Sequence, residues 1–206
     1  MAIVETRAVY KRNGYFGFGP IEVTVEPGQI LGVRGGPRSG KTSLMCMLWG
    51  FMLPDRGDVK VFGLPPCENP VAVRNRAGYV PHHPRFYESE RVQPFLEFIG
   101  SFHKNWDMPY VLNLLEEFGI AKNEVIYNIQ DEARVRLALA AASGHRPELM
   151  ILDEPHFTKT VMGFLRKRIR EDNIAVVVTS TDSRELDPVA DMVVEIKNGT
   201  LISNHP

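Results

Sequence analysis

Short apolar runs alternate with segments of helical periodicity along most of the chain. Residues 3–10, 21–25 and 30–34 are apolar or β-branched and are separated by Asn-Gly, glycine-rich and Pro-Gly breakers, which predicts three strands. Further strands are predicted at 58–63, 77–80, 149–152, 175–179, 193–196 and 200–203, helices at 42–51, 92–119, 131–143 and 159–171, and a proline-rich loop at 63–70. Strands that alternate with helices predict an α/β fold with a mostly parallel sheet.

Composition narrows the class of protein. The chain has 206 residues, of which 44% are hydrophobic and 24% are charged, as in an ordinary globular domain. Its net charge of −1 gives no strong field that would attract nucleic acid or an anionic membrane. The two cysteines, Cys46 and Cys67, form no CxxC pair, so neither a disulfide framework nor a thiolate zinc site is expected. No signal peptide is evident, and no apolar run approaches the ~20 residues of a membrane helix, so we expect a soluble cytosolic protein.

Residues 35–42 carry the clearest chemistry. They read Gly-Gly-Pro-Arg-Ser-Gly-Lys-Thr, which matches G-x-x-x-x-G-K-[ST] at every fixed position, between a predicted strand and a predicted helix. Glycines let backbone N–H groups turn inward around phosphate, and the helix N-terminus adds partial positive charge. Lys41 is expected to reach the β- and γ-phosphates of a nucleotide, and the Thr42 hydroxyl to bind Mg²⁺. The predicted phosphate-binding residues are Gly35, Gly36, Pro37, Arg38, Ser39, Gly40, Lys41, Thr42 and Ser43.

Two acids follow the predicted strand at 149–152. A carboxylate at the C-terminal end of a parallel strand faces the ligand crevice, next to the phosphate loop. Asp153 is therefore predicted to hold Mg²⁺ through water, and Glu154 to act as the general base on the attacking water.

Four stretches together resemble the nucleotide-binding domain of ATP-binding cassette (ABC) transporters. They are PGQILGVRGGPRSGKTSLMCMLWGFMLPDRGDVKVFG, AGYVPHHP, RVRLALAAASGHRPELMILDEP and VVTSTDSREL. The resemblance implies one domain over 1–206, with a P-loop NTPase core and an N-terminal antiparallel β-subdomain at about 1–85 and 143–206, and a helical subdomain at about 86–142. It also implies two subunits that sandwich Mg-ATP head to tail and drive a membrane-spanning partner from the inner face of the cell membrane.

Several positions depart from the family pattern. The Q-loop glutamine aligns with His82 and the switch histidine with Thr181. The signature aligns with residues 129–133, which include Gln130, Asp131 and Glu132, and the segment after Pro155 lacks the usual D-loop. We expect the two acids to cap their own helix and to repel a phosphate bound on a second subunit. His82 and His83 are not expected to form a metal pair, because adjacent residues of an extended segment point apart.

Smaller questions stay open at this level. The adenine ring is expected to stack on Tyr10, Tyr15 or Phe16, and the sequence does not choose among them. Phe86 and Tyr87 fit either a docking site for the membrane partner or minor core packing. A basic run at 166–170 is interpreted as a solvated helix face, so no nucleic-acid partner is expected.

The leading hypothesis is the ATP-binding subunit of an ABC transporter, an ATPase of low activity. The alternative is a regulatory or structural subunit that binds ATP but hardly hydrolyses it, paired as a heterodimer with an intact ABC ATPase. A small-molecule kinase is a third possibility, although no arginine-rich lid is present.

Overall fold

The computed structural model describes residues 1–14 and 16–203 and contains two β-sheets. Its strands are β1 (Val4–Asn13), β2 (Phe16–Val25), β3 (Ile30–Arg34), β4 (Arg56–Val61), β5 (Ala77–Val80), β6 (Leu149–Leu152), β7 (Ala175–Ser180), β8 (Met192–Lys197) and β9 (Thr200–Ser203). Its helices are α1 (Lys41–Leu48), α2 (Pro70–Arg74), α3 (Val92–Gly100), α4 (Met108–Glu117), α5 (Asp131–Ser143), α6 (Lys159–Asp172) and α7 (Ser183–Leu186), with a 3-10 turn at Ile126–Asn128.

The larger sheet has the order β5-β6-β7-β3-β8-β9 and is parallel except at its last pair, where β9 runs antiparallel to β8. Its central strands are apolar on both faces because both faces are covered. In β7, for example, Ala175 and Val177 join one core cluster while Val176 and Val178 join the other. The carboxyl ends of β3, β6 and β7 therefore lie at one edge of the sheet.

The smaller sheet, in the order β2-β1-β4, is antiparallel throughout. Its inward side chains share a core cluster with Leu44, Met45 and Leu48 of α1, which also contacts the larger sheet. One strand is longer than predicted, since β2 begins at Phe16 through its pairing with Asn13, and another is shifted, since β4 begins at Arg56, two residues before the predicted strand.

The predicted helical region at 92–119 divides into α3 and α4. Trp106 packs against Gly100 at the end of α3, and the Asp107 carboxylate caps α4 by accepting a hydrogen bond from the Tyr110 N–H at 2.9 Å. The short helices α2 and α7 were not predicted. Proline in the first turn, which needs no N–H partner, explains the start of α2.

The predicted fold class is confirmed: an α/β core with a mostly parallel sheet, an antiparallel N-terminal sheet and a group of helices. Among the described residues, no helix is both long and apolar enough to cross a membrane.

Candidate nucleotide site

The loop of residues 35–40 connects β3 to α1 at the carboxyl edge of the larger sheet. The Gly35 N–H donates to the Ser180 carbonyl at 3.2 Å, which ties the loop to the end of β7. Gly40 has a φ of 113°, and the Phe18 ring lies where a Cβ atom would stand. Both features require glycine at this position. The loop is thus held in shape by its neighbours.

Lys41 lies inside this loop, and its side chain is only 4% exposed. Its ammonium donates to the carbonyl oxygens of Gly35 at 2.6 Å and Gly36 at 2.9 Å. It also lies 3.2 Å from the Glu154 Oε1 atom. A buried ammonium is costly unless it is paired, and here three oxygens stabilise it. The phosphate loop, the predicted base and the lysine therefore meet at one point.

The two acids lie at the end of β6. Asp153 is buried, and its Oδ1 atom accepts a hydrogen bond from the Thr179 hydroxyl of β7 at 2.8 Å. The same hydroxyl accepts a hydrogen bond from the Glu154 N–H at 2.9 Å. Glu154 has a φ of 50°, in the left-handed region, and this turn brings its carboxylate to Lys41. Sequence reasoning missed Thr179, and its signal was a hydroxyl at the end of an otherwise apolar run.

The negative charge of Asp153 also affects the pKa of two side chains near it. Burial, and after it the charge of Asp153, raises the pKa of both the Cys46 thiol and the Tyr79 hydroxyl. Both groups therefore stay protonated at neutral pH. Cys46 then behaves as a small packing residue of α1, without reactive thiolate character.

The residues present fit a magnesium ion. Thr42 is exposed at the start of α1, and Asp153 offers its Oδ2 atom, which makes no hydrogen bond to any described residue. Hydroxyl and carboxylate oxygens are ligands that Mg²⁺ prefers, and it commonly uses one or two of them together with nucleotide phosphates. No cluster of three or more His, Cys, Asp or Glu ligands occurs among the described residues, so a cage made by protein alone is not indicated there.

His82, at the predicted Q-loop position, lies beside the base. Its Nδ1 atom is 3.4 Å from the Glu154 carbonyl oxygen and 3.8 Å from the Glu154 Oε2 atom. The expectation that His82 and His83 point apart is wrong, because their ring centroids are 3.9 Å apart. The chain bends at these residues, between Pro81 and Pro84, and is not extended there.

The signature position lies at the start of α5. Gln130 precedes the helix without a side-chain capping bond, and Asp131 is fully exposed with its Oδ1 atom 4.0 Å from the Arg134 Nε atom. No described N–H donates to Asp131 or Glu132, so the predicted self-capping is wrong. The position in the helix supplies the reason, since a capping side chain belongs to the residue before the helix, and here that residue is Gln130.

Two clefts open around these positions. One, of about 590 Å³, is lined by His82, Asp131, Arg134 and His156, so the signature end and the Q-loop position face a common space. The other, of about 540 Å³, is lined by Gly35, Gly36, Thr181, Asp182 and Arg184, among others. Thr181, at the predicted switch position, is exposed there. A hydrogen bond from Arg184 lowers the pKa of Asp182.

The aromatic candidates for adenine stacking do not converge. Tyr10 packs over Gly17 and Gly19 within the smaller sheet, and Tyr15 lies outside the described residues, as does the side chain of Phe16. The aromatic ring in contact with the loop is that of Phe18, which is buried against Gly40. The choice of stacking residue stays a prediction.

A parallel sheet whose strand ends carry a glycine loop, a buried lysine and two acids defines a nucleotide-binding domain of the P-loop type. Residues 18–157 match the family model described as ABC transporter, so the chain belongs to the ABC transporter family. It is 28% identical over 209 residues to the bacitracin transport ATP-binding protein BcrA of Enterococcus faecalis, covering 97% of this chain and 68% of that protein. It is 28% identical over 198 residues to BcrA of Bacillus licheniformis, covering 90% of this chain and 63% of that protein.

Solved structures agree on the fold. One ATP-binding subunit of an ABC transporter superposes with a TM-score of 0.87 at 17% identity, over 98% of this chain and 90% of that one. The predicted family and the predicted role as an ABC transporter ATP-binding subunit are thus confirmed, and the regulatory alternative is not favoured.

Proposed function

We propose that this chain binds Mg-ATP, hydrolyses it slowly and couples that cycle to a membrane-spanning partner. One observation carries the proposal: Lys41 lies within 3.2 Å of the Glu154 carboxylate while bonded to the phosphate loop itself. The ammonium that would bind phosphate and the carboxylate that would accept a proton from water thereby lie at one edge of the sheet, and the buried Asp153 lies beside them.

The chain's own residues divide the work. Loop N–H groups and Lys41 would bind the phosphates, and Thr42 and Asp153 would hold a magnesium ion, which would supply positive charge against the phosphate oxygens. Phosphate oxygens that attract Lys41 relieve its contact with Glu154. The Glu154 carboxylate then accepts a proton from water, with His82 close to its second oxygen.

Slow turnover follows from the altered positions. His82 and Thr181 stand where the resemblance expects glutamine and histidine, and the segment after Pro155 begins with His156. An imidazole has a shorter reach than a glutamine amide, and the Thr181 hydroxyl carries no titratable ring nitrogen. We expect a turnover under saturating ATP well below that of an intact transporter.

Nucleotide affinity tests the site. Lys41→Ala should weaken ATP binding by roughly 10²-fold or more, because charged hydrogen bonds contribute about 1.5–3 kcal/mol each and Lys41 makes several. Isothermal titration with ATP measures this. Lys60→Ala, which changes an exposed lysine of β4, is the matched control and should bind like the parent. Equal ATP affinity of Lys41→Ala and the parent would refute the phosphate-loop assignment.

An apolar cleft supports a membrane-spanning partner. It measures about 520 Å³, lies between the core and the α3–α5 helices, and includes Trp49, Phe86 and Phe102 in its lining. Phe86 is half-buried against Phe95, whereas Tyr87 is 63% exposed and packs edge-on against Phe98. Phe86 packs against the core as well as lining the cleft, and Tyr87, Phe98 and Phe102 form an exposed aromatic rim beside it.

Such a rim is typical of a protein interface. We propose that it receives a cytoplasmic segment of the transporter's membrane subunit, which would hold this chain at the inner face of the cell membrane. A second ABC ATPase, in place of a second copy of this chain, is the other proposed partner.

Affinity purification from detergent-solubilised host membranes tests the partner. The parent should recover an integral membrane protein, and Phe102→Glu should lose it because a charge enters the apolar rim. Leu53→Glu, at an equally exposed apolar residue on another face, should retain it. Recovery of the chain alone in every case would contradict the proposed partner.

A further inference from the structure

Thr179 is the penultimate residue of β7 and is completely buried. It pairs with Val33 of β3, the strand that leads into the phosphate loop, and its side chain contacts both acids at the end of β6. It thus stands between the loop strand and the strand that carries the acids. No role has been assigned to it so far.

Its hydroxyl makes two hydrogen bonds of opposite sense. It donates to the Asp153 Oδ1 atom at 2.8 Å and accepts from the Glu154 N–H at 2.9 Å. A hydroxyl has one donor hydrogen, and Thr179 uses it in the bond to Oδ1. The bond from Glu154 holds its N–H in the left-handed turn that this residue adopts at φ 50°.

We propose that Thr179 is the positioning residue of the catalytic edge: one hydroxyl sets the carboxylate of Asp153 for the metal ion and the backbone of Glu154 for the base. This inference rests on the proposed function, because it assigns Thr179 to the metal and water sites described there. The donated bond engages Oδ1 and leaves Oδ2 available to the metal ion. The accepted bond fixes the turn from which Glu154 reaches Lys41.

Thr179→Val tests this with little change of shape. It removes the hydroxyl, keeps the β-branched form that suits a buried strand, and does not alter the chemical groups of Asp153 and Glu154. Partners that orient a metal ligand typically contribute about 10–100-fold in metal affinity or activity. We expect a weakening of that size for Mn²⁺ in the presence of ADP, measured by electron paramagnetic resonance, and a similar fall in kcat with KM for ATP near the parent value.

Two further variants separate positioning from general stability. Thr179→Ser restores the hydroxyl and should recover most of both losses. Thr6→Val removes a buried hydroxyl that accepts from the Val23 N–H at 2.8 Å in the smaller sheet, remote from the site. It should lower the melting temperature without changing Mn²⁺ affinity or kcat. Thr179→Ala provides the same comparison if the valine variant does not fold.

The outcomes are distinct. Unchanged Mn²⁺ affinity and kcat in Thr179→Val, with an active parent, would overturn the role of Thr179 and leave the proposed function intact. Losses that Thr179→Ser fails to recover, or that Thr6→Val reproduces, would also overturn it. A parent that binds no Mn²⁺ with ADP and shows no turnover would overturn the proposed function and this inference together.

Discussion

Two regions of this molecule stand where an ABC domain would meet phosphate, and they are built differently. At the carboxyl edge of the core sheet, Lys41 and Asp153 are both buried and both have hydrogen-bond partners from neighbouring strands or loops. At the start of α5, Asp131 and Glu132 are exposed, and no hydrogen bond involves the helix amides and these carboxylates.

The difference follows from the cost of burying charge. A buried ion must be paired, so the core edge is organised before any nucleotide arrives. An exposed carboxylate costs little, so the start of α5 can carry two acids without partners for them. We therefore expect ATP binding and chemistry at the core edge, and association with a second subunit at α5.

The largest effect is expected at the core edge. Glu154→Gln keeps the size of the side chain but removes its ability to accept a proton at neutral pH, so turnover should fall by about 10²–10⁴-fold. ATP binding should remain. Glu148→Gln, an exposed residue just before β6 whose partner is Arg76, is the control and should keep parent turnover. An ATPase assay at saturating ATP measures both, and undiminished turnover in Glu154→Gln would assign the base to another residue.

The contrast between local motifs and contacts made by the fold also explains how much of the site could be predicted from the sequence. The lysine, the glycines and the two acids follow from a local motif whose spacing determines its geometry, and the structure brings Lys41 and Glu154 together. Thr179 could not be predicted, because its role depends on the register between β6 and β7. The capping by Asp131 was predicted wrongly, because Asp131 is the first residue of the helix, whereas a capping side chain belongs to the residue before it.

The contact between the end of α5 and β5, outside both regions, should respond to acid. His145 follows α5, its Nε2–H donates to the Ala77 carbonyl of β5 at 3.0 Å, and its ring stacks on His103 at 4.2 Å. Burial, followed by the charge of His103, lowers the pKa of His145 to about 4, and burial also lowers the pKa of His103. The neutral rings therefore stabilise the fold above pH 6.5, and this contribution is lost as the pH falls toward 4.

His145→Gln removes this titration and should flatten the pH dependence of unfolding. Between pH 7 and pH 4 the parent should lose up to about 3 kcal/mol more free energy of unfolding than the variant. Urea titrations at each pH measure the difference. His83→Gln, at an exposed histidine, is the control and should follow the parent. If the free energy of unfolding depends on pH in the same way in the parent and in His145→Gln, the contact between His145 and β5 does not respond to pH.

The smallest effect is expected at the start of α5, and it concerns association. The resemblance to ABC domains implies a dimer in which each ATP bridges one subunit's phosphate loop and the other's signature. In a homodimer of this chain, Asp131 and Glu132 face phosphate at both bridges, so ATP should leave purified Glu154→Gln monomeric. A heterodimer with an intact partner keeps one attractive bridge, from the Lys41 site to the partner's signature.

Replacing Gln130 with serine and Asp131 and Glu132 with glycine should strengthen ATP-dependent dimerisation in the Glu154→Gln background. Charges at a helix terminus contribute about 0.3–1 kcal/mol each, so two of them correspond to roughly a 10-fold change. Since glycine weakens a helix, Asp131→Asn with Glu132→Gln isolates the charge, and its effect should shrink as salt screens it. Glu97→Gln with Glu116→Gln, at exposed acids on α3 and α4, is the control. Sedimentation with and without ATP measures the association of each variant. If the Glu154→Gln chain with Gln130, Asp131 and Glu132 unchanged forms a tight homodimer with ATP, the two acids do not repel phosphate, and both regions would take part in binding it.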